Sequence, residues 1–386
     1  MNINMIYFDN AATTYPKPEE VYQFMDSFYR NYGVNVGRGQ YTLADKASSL
    51  INETRQLILK LFNCPQKKVV FTPSATESLN IILQGLNWRE NYNVYVTPFE
   101  HNAVLRVLNY LKGIYHFNIV ELYVDKDSIE YDIERIKYQF QDRRPDVVVL
   151  CHASNVCGLV APIKEICELS KEYQATNIID MAQTAGLIQT DLSEIKADYA
   201  VFAGHKTLYG PFGIAGIIMG NDSNLRPLIY GGTGIDSANA DLPNTIPEKY
   251  EVGSQNSLAI GGLNAALKWI NCIGIEQIYH KEIENTQKLY DLLSSFNNIR
   301  VIGIKSLKNH IGVFSCVFNG YSSDNIGQVL NNNNIAVRTG LHCAPDAHRF
   351  LETFPAGTVR FSVSYFNTDE GFMQLTEALN MIKKDS

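Results

Sequence analysis

The sequence lacks an excess of basic charge, a long apolar run and the features of a signal peptide. Its 386 residues carry a formal net charge of −7 with a pI near 5.7, which argues against a surface for nucleic acids or anionic membranes. No apolar run approaches the ~18 residues needed to span a bilayer. The first residues, Met1 to Met5, lack the basic and apolar regions of a secretory signal. Neither nucleic acid nor membrane is therefore expected as a partner.

Cysteine is present, but without the spacing of a disulfide framework. The seven cysteines are an odd number scattered along the chain, which is typical of reduced thiols in the cytoplasm. Cys151, His152 and Cys157 lie close in sequence, but no second pair of ligands has the usual zinc spacing. We therefore expect a cytoplasmic protein without a metal site.

The central part of the chain alternates short apolar strands with helices. A chain of 386 residues is long enough for two domains. Val147 to Leu150 is a continuous apolar run of the kind found in parallel sheets that are covered on both faces. Further strands are predicted at 69–71, 94–96, 177–180, 199–202 and 214–219. The alternation predicts a mostly parallel, doubly wound α/β domain with ligands at the carboxyl ends of its strands.

The pattern changes after about Gly261. A long helical stretch from Ala265 to Ser294 precedes short alternating strands such as the one at 312–318. Thr368 caps a final helix that has an apolar stripe. We therefore predict a large α/β domain over residues 14–264 and a smaller α+β domain formed by 1–13 and 265–386.

A lysine, Lys206, follows the apolar run 199–202 and precedes a turn that contains Gly210. A lone lysine after a strand is usually solvated. If this one is buried, its pKa falls because the charged form loses its water, and a neutral amine can form a Schiff base with an aldehyde cofactor. The rest of the sequence decides between these interpretations.

Ser74 and Glu77 form a capping box before an apolar run, so a helix is predicted to start there. Ser74 acts simply as a cap in one interpretation. In the other, the helix N-terminus is an anion site, because its free N–H groups and dipole attract phosphate.

Short motifs follow one another along nearly the whole chain, from Tyr7 to Ser362. They are Glu100-His101-Asn102-Ala103, Ser154-Asn155-Val156, Asp180-Met181-Ala182-Gln183, Gly204-His205-Lys206 and Arg338-Thr339-Gly340-Leu341-His342-Cys343-Ala344. In these motifs and their order, the chain resembles class V (fold-type I) pyridoxal-phosphate enzymes, and most of all the cysteine desulfurase and selenocysteine lyase family. The last motif resembles the second group of that family, in which the cysteine loop is short. The resemblance implies the fold-type I transferase fold and pyridoxal 5'-phosphate as cofactor.

The resemblance also implies the residues that hold the cofactor ring. Lys206 matches the Schiff-base lysine, which also moves the substrate Cα proton. Asp180 matches the carboxylate that keeps the pyridine nitrogen protonated, which makes the ring an electron sink. Gln183 resembles the partner of the phenolic oxygen. His101 matches the imidazole that stacks on the ring and exchanges a proton with the substrate thiol.

A second implied set binds the cofactor phosphate. Ala75 and Thr76 resemble the phosphate cup, His205 matches a further phosphate ligand, and Ser254 resembles one supplied by the partner subunit of a homodimer. The chain departs from the family pattern where Ala75 and Ala203 replace hydroxyl residues and where Ser254-Gln255 replaces Thr-Pro. We therefore expect fewer side-chain hydrogen bonds to the phosphate.

A third implied set binds the substrate. Arg360 resembles the guanidinium that grips the substrate carboxylate with a bidentate fork. Asn155 matches a residue that assists at this carboxylate and lies against the cofactor. Arg38 and Arg338 align with basic residues at the pocket mouth, although surface ion pairs are an equal alternative for both.

Cys343 is the residue that separates this family from its relatives. A free cysteine is usually a small buried hydrophobe. Cys343, however, lies in a glycine-containing loop with Arg338 and His342 nearby, and positive neighbours favour a thiolate. It also aligns with the family's persulfide-forming cysteine.

The function implied by the resemblance is removal of sulfur from L-cysteine, which gives L-alanine and a persulfide on Cys343 for transfer to an acceptor protein or thiol. One alternative is a selenocysteine lyase, for which Cys343 is dispensable because selenium leaves more readily. Another is a different class V activity such as an aminotransferase or epimerase, and Cys343 counts against it. A non-catalytic sulfur carrier is disfavoured because Lys206, Asp180 and Arg360 are all in place.

Overall fold

The computed structural model describes residues 5–36, 41–235 and 238–384. In chain order, its helices are α1 (Glu19–Tyr32), α2 (Thr42–Leu61), α3 (Ala75–Gly85), α4 (Asn102–Tyr115), α5 (Ile133–Asp142), α6 (Ile163–Lys171), α7 (Ser257–Ile273), α8 (Ile275–Ser294), α9 (Ser323–Asn332), α10 (Pro345–Phe350) and α11 (Asp369–Lys384). Its strands are β1 (Ile6–Tyr7), β2 (Lys68–Thr72), β3 (Asn93–Val96), β4 (Asn118–Glu121), β5 (Val124–Asp125), β6 (Glu130–Tyr131), β7 (Val147–Cys151), β8 (Thr176–Asp180), β9 (Tyr199–Ala203), β10 (Ala215–Met219), β11 (Ile299–Ile302), β12 (Val313–Phe318), β13 (Ile335–Ala336), β14 (Arg338–Gly340) and β15 (Thr358–Ser362).

A seven-stranded sheet in the order β2-β10-β9-β8-β7-β3-β4 forms the centre of the molecule. The run from β9 to β4 is parallel, whereas β10 is antiparallel to both of its neighbours. Every residue of β7, β9 and β10 is buried. Along β9, Tyr199 and Val201 join one apolar cluster and Ala200 and Phe202 join the other, because successive side chains point to opposite faces. Both faces are covered, which confirms the predicted doubly wound α/β fold.

A second, four-stranded sheet in the order β11-β12-β15-β14 is antiparallel and forms the smaller part of the molecule. Side chains from α8, α9 and α11 pack on it in a separate core. The N-terminal segment belongs to this part, since β1 pairs with β13 and Phe8 is fully buried in the same core.

The helical stretch predicted from Ala265 to Ser294 is not one helix. It is broken at Gly274, where φ is +92°, a backbone conformation incompatible with an α-helix. No single helix of the described residues is long and apolar enough to cross a membrane; α7 and α8 meet that test only as a pair, bent by 85°.

The predicted domain boundary between residues 264 and 265 falls within α7. Side chains on both sides of it, such as Leu263 and Ala266, belong to one core of the large sheet. The division of the chain into 14–264 and the remainder stays a prediction.

The carboxyl ends of β7, β8 and β9 lie at one edge of the large sheet, because these strands are parallel neighbours. Cys151, Asp180 and Ala203 are the last residues of these strands. These three residues and Arg360 of β15 line one cavity, so the small sheet closes this edge.

Candidate active site

Residues 204–210, which follow β9 and include Lys206, form a turn that we call the lysine turn. Hydrogen bonds hold this turn from two directions. The N–H of Gly204 donates to the carbonyl of Ile214 at 3.0 Å, and that of Gly210 donates to the carbonyl of Gly204 at 2.7 Å. From the N-terminal segment, the hydroxyl of Thr14 donates to the carbonyl of Lys206 at 2.9 Å. The backbone of Lys206 is therefore fixed before any ligand binds, as a covalent site requires.

The side chain of Lys206 borders a cavity of about 220 Å³, which we call the lysine pocket. Most residues predicted for the site converge there. The predicted residues that line the lysine pocket are Ala75, Thr76, His101, Asn155, Asp180, Gln183, His205, Lys206, Arg338 and Arg360.

The lysine pocket contains an amine, that of Lys206, and a buried carboxylate, that of Asp180. Burial lowers the pKa of the Lys206 amine, and the Asp180 carboxylate partly opposes that effect. Burial also raises the pKa of Asp180, although the N–H of Ala182 donates to its Oδ1 at 2.9 Å and stabilises the charged form. A less basic lysine is more often neutral and nucleophilic, which is what an aldehyde cofactor needs.

His101 is fixed by the helix that it starts. Its Nδ1 accepts a hydrogen bond from the N–H of Ala103 at 3.0 Å, so the imidazole is the N-cap of α4. Burial, together with the nearby Lys206 charge, lowers the pKa of His101 to about 4. The neutral ring therefore keeps its proton on Nε2, the nitrogen left over for a ligand.

The N-terminus of α3 is a capped helix start that also has N–H groups free to bind an anion. The Ser74 hydroxyl accepts from the N–H of Glu77 at 3.2 Å, which confirms the predicted cap. The N–H groups of Ala75 and Thr76 have no partner inside the helix, because only later residues can donate to helix carbonyls. The two interpretations made from the sequence are therefore compatible.

Arg360 is the most deeply buried charge of the site, with 1% of its surface exposed. Its Nη2 forms an ion pair with Asp9 Oδ1 at 2.6 Å, and its Nη1 donates to the carbonyl of Asn155 at 3.0 Å. The Nε atom is buried without a partner among the described residues. The guanidinium is thus oriented on two sides, and its Nε–H is left to donate to a ligand carboxylate.

Asn155 links this arginine to the cysteine loop, residues 340–343. Its Nδ2 donates to the carbonyl of His342 at 2.6 Å. The next carbonyl, of Cys343, accepts from the N–H of Asn102 at 2.7 Å. His342 and Cys343 have φ angles of +47° and +60°, which non-glycine residues rarely adopt, so these anchors hold an unfavourable backbone in place.

Cys343 does not line the lysine pocket. Its half-buried side chain faces an adjacent cavity of about 610 Å³, which we call the outer chamber. Arg338 and His342 belong to the walls of both cavities, and Arg338 Nη2 donates to the Cys343 sulfur at 3.4 Å. Arg338 and His342 therefore separate the two cavities, and the thiol lies on the side of the outer chamber.

Ser254 also lies outside the lysine pocket. It lines a separate cavity with Arg55, Glu251 and Gln255. It does not line the lysine pocket of its own chain, and its predicted role as a phosphate ligand from the partner subunit stays a prediction. Arg38 lies outside the described residues.

Sequence reasoning missed two residues near the site, Asp9 and Lys17. Asp9 pairs with Arg360 from 351 residues away. The Lys17 amine, whose pKa burial lowers to about 7, donates to the carbonyl of His205 at 2.5 Å from 188 residues away. Neither contact has a local sequence signal, because both depend on the N-terminal segment crossing the site.

The lysine pocket fits pyridoxal phosphate. Three buried polar atoms of its lining residues have no hydrogen-bond partner within the described part of the chain: Asn155 Oδ1, His205 Nδ1 and Arg360 Nε. The amine of Lys206 suits an aldehyde, the carboxylate of Asp180 suits a pyridine nitrogen, and the start of α3 suits a phosphate. A fold with these groups at its sheet edge defines a fold-type I pyridoxal-phosphate enzyme.

Comparison with known proteins narrows this class. The family model "Aminotransferase class-V" matches residues 6–375. A relative from Methanothermobacter thermautotrophicus, named "Probable cysteine desulfurase", is 31% identical over 98% of this chain and 94% of its own length. One of the same name from Pyrococcus abyssi is 31% identical over 95% of this chain and 91% of its own. The apo structure of the cysteine desulfurase from Thermococcus onnurineus superposes with a TM-score of 0.90 at 27% identity, covering 99% of this chain and 95% of that one.

The chain belongs to the class-V aminotransferase family. It is an enzyme of the cysteine desulfurase type that depends on pyridoxal phosphate, and the comparisons support this function over the selenocysteine lyase, aminotransferase and epimerase alternatives.

Proposed function

We propose that this enzyme cleaves the carbon–sulfur bond of L-cysteine, releases L-alanine and keeps the sulfur as a persulfide on Cys343 for an acceptor. One observation carries the proposal. Asn155 joins the guanidinium of Arg360, which suits the substrate carboxylate, to the loop that carries the Cys343 thiol. A single residue, through its backbone carbonyl and its side-chain amide, thus sets the distance between the groups that must hold the two ends of one small amino acid.

Lys206, Asp180, Gln183 and His205 would hold pyridoxal phosphate, with the N–H groups at the start of α3. The cofactor supplies an electron sink that lets the substrate Cα lose its proton. Lys206 is the base for that proton, because burial keeps its amine less basic than usual. Gln183 is itself fixed, since its Nε2 donates to the carbonyl of Ala11 at 2.9 Å.

His101 and Arg360 orient the substrate. His101 keeps a proton on Nε2, because its Nδ1 is occupied by the N–H of Ala103, and can donate it to the substrate sulfur. Arg360 binds the carboxylate in a site from which water is largely excluded, where a charge-assisted hydrogen bond is strong. Arg338 lies between the substrate side and the thiol side and contacts the Cys343 sulfur.

The sulfur step combines the thiol of this chain with the electron sink that the cofactor would supply when bound. The thiolate of Cys343 attacks the substrate sulfur, a sulfur–sulfur bond forms and the carbon–sulfur bond breaks. The electron pair of that bond stays with the carbon, which then takes up a proton and becomes the methyl group of alanine. The second sulfur remains on Cys343 as a persulfide, so no external oxidant is required.

Replacing the thiol tests this assignment. Cys343→Ser should lose alanine formation from cysteine by at least about hundredfold, because no nucleophile remains for the sulfur. The absorbance of bound cofactor should persist, which separates loss of chemistry from loss of the fold. Cys272→Ser, which alters an exposed free thiol, is the matched control and should keep wild-type activity.

The same variant tests the selenocysteine alternative. Alanine formation from selenocysteine should survive in Cys343→Ser if selenium leaves without attack by the thiol. A wild-type rate of alanine formation from cysteine in Cys343→Ser would show that Cys343 is not the residue that takes the sulfur from the substrate.

Two further parts of the proposal concern the assembly and its surroundings. The position of Ser254 outside the lysine pocket of its own chain supports a homodimer in which each subunit completes the other's phosphate site. All seven cysteines are free thiols, which supports a reducing compartment such as the cytoplasm.

A further inference from the structure

The outer chamber carries more positive than negative charge. Arg106 of α4, Arg338 of β14 and Arg349 of α10 all line it, and Asp346 is its only acidic wall residue among those the structure describes. Asp346 is already paired with Arg349. Arg106 is exposed and makes no hydrogen bond or ion pair within the described residues. Two guanidinium charges are therefore left uncompensated around the thiol.

The outer chamber is also the roomier approach to Cys343. Its volume is about 610 Å³, against about 220 Å³ for the lysine pocket. Of the residues that the structure describes, Arg338 and His342 are the ones that line both cavities. The backbone of Cys343 is anchored to Asn102, and its side chain is half-buried on the chamber side. A molecule that takes sulfur from Cys343 can thus reach it without passing the bound cofactor.

We propose that the sulfur acceptor enters through the outer chamber and is a thiol with negative charge close to its sulfur. This inference rests on the proposed function. The acceptor thiolate attacks the outer sulfur of the persulfide and forms a new sulfur–sulfur bond. The bond to Cys343 breaks, its electron pair returns Cys343 to the thiolate, and the acceptor leaves as the persulfide.

The arginines select such an acceptor for two reasons. A chamber with an excess of one sign of charge raises the local concentration of ligands of the opposite sign and speeds their association. Guanidinium groups also bind carboxylates in a fixed geometry, which places a neighbouring thiolate at the persulfide. A small carboxylate-bearing thiol and an acidic, cysteine-containing protein segment share this chemistry.

The test separates transfer from persulfide formation. The holoenzyme is loaded with cysteine, freed of substrate and mixed with mercaptosuccinate, 2-mercaptoethanol or cysteamine, and the rates are expressed per thiolate. Mercaptosuccinate should react about tenfold faster than cysteamine, with the neutral thiol between them, and salt should reduce the difference. A cysteine peptide flanked by aspartates should likewise exceed one flanked by lysines, and comparing it with mercaptosuccinate distinguishes a protein segment from a small thiol.

Substitutions in the outer chamber test whether its arginines cause the preference for acidic thiols. Arg106→Gln and Arg349→Gln should each reduce the preference for mercaptosuccinate by about threefold, while the burst of alanine that reports persulfide formation stays the same. Arg89→Gln is the control, because this exposed arginine lies before β3, at the opposite end of the sheet. Absence of a persulfide would refute the proposed function. A persulfide that transfers equally fast to thiols of every charge, or variants that match Arg89→Gln, would overturn this inference alone.

Discussion

Glu282 is a buried carboxyl that joins α8 to the lysine turn. It is 4% exposed, and its Oε1 accepts from the hydroxyl of Tyr209 at 2.6 Å. The N–H of Tyr209 in turn donates to the carbonyl of Lys206 at 2.8 Å. Burial raises the pKa of Glu282 from its ordinary value of 4.5 to about 7.

This elevated pKa makes the stability of the protein depend on pH in a known direction. The native state holds the Glu282 proton up to about pH 7, whereas the unfolded chain loses it above about 4.5. The group therefore contributes stability that is complete below pH 4.5 and is lost as the pH rises through 7. At about 1.4 kcal/mol per pH unit, the loss between those values amounts to about 3 kcal/mol.

The Glu282→Gln substitution removes the titration and keeps an acceptor for the Tyr209 hydroxyl. We expect its free energy of unfolding to approach that of the wild type at pH 5 and to exceed it by about 3 kcal/mol at pH 8. Chemical denaturation at fixed protein concentration, followed at several pH values between 5 and 8, measures this difference.

Glu284→Gln is the control, on the exposed part of the same helix, and should change the free energy of unfolding by less than about 0.5 kcal/mol. A constant difference between Glu282→Gln and the wild type across this pH range would refute the reasoning, because it would mean that Glu282 does not titrate there.

Two further predictions concern the anchors of the site. Asp9→Asn leaves the 1%-exposed guanidinium of Arg360 without its ion-pair partner and should lower the free energy of unfolding by about 3 kcal/mol. Added L-alanine, whose carboxylate can replace that of Asp9, should raise the Tm of this variant more than the Tm of the wild type. An equal rise in both proteins would contradict the role given to Asp9. Gly357→Ala places a Cβ 2.5 Å from the backbone of Gly340, at a residue whose φ is +72°. It should lower the free energy of unfolding by at least about 2 kcal/mol and speed alkylation of Cys343. The control Gly320→Ala, at φ +83° with open space around the Cβ, should lower it by about 1 kcal/mol, and equal losses would show that the contact with Gly340 is unimportant.

The parts of the fold that the sequence predicted are those with local causes. The apolar runs of β7, β8 and β9 gave their own positions, because a strand covered on both faces needs apolar side chains throughout. The cap at Ser74 was equally local. The break at Gly274 was missed, since a glycine inside an apolar helical pattern does not reveal its φ angle.

The candidate site likewise has features that the sequence predicted and features that it did not. Motif order was enough to propose Lys206, Asp180, His101 and Arg360, and the structure brings all of them to one cavity. Their assigned roles stay predictions. The separation of Cys343 into the outer chamber was not visible in the motif, because it depends on which wall the loop turns toward.

The sequence by itself determined the chemistry available to this protein: an amine after a buried strand, a carboxylate after its neighbour and a thiol near arginine. These follow from residue type and from periodicities of a few residues. Only the tertiary structure decided that Asp9 neutralises Arg360 across 351 residues, and that the thiol opens onto a chamber of its own. Such pairings depend on how the N-terminal segment and the small sheet pack against the large sheet. They join residues that are far apart in the sequence, so no local pattern predicts them.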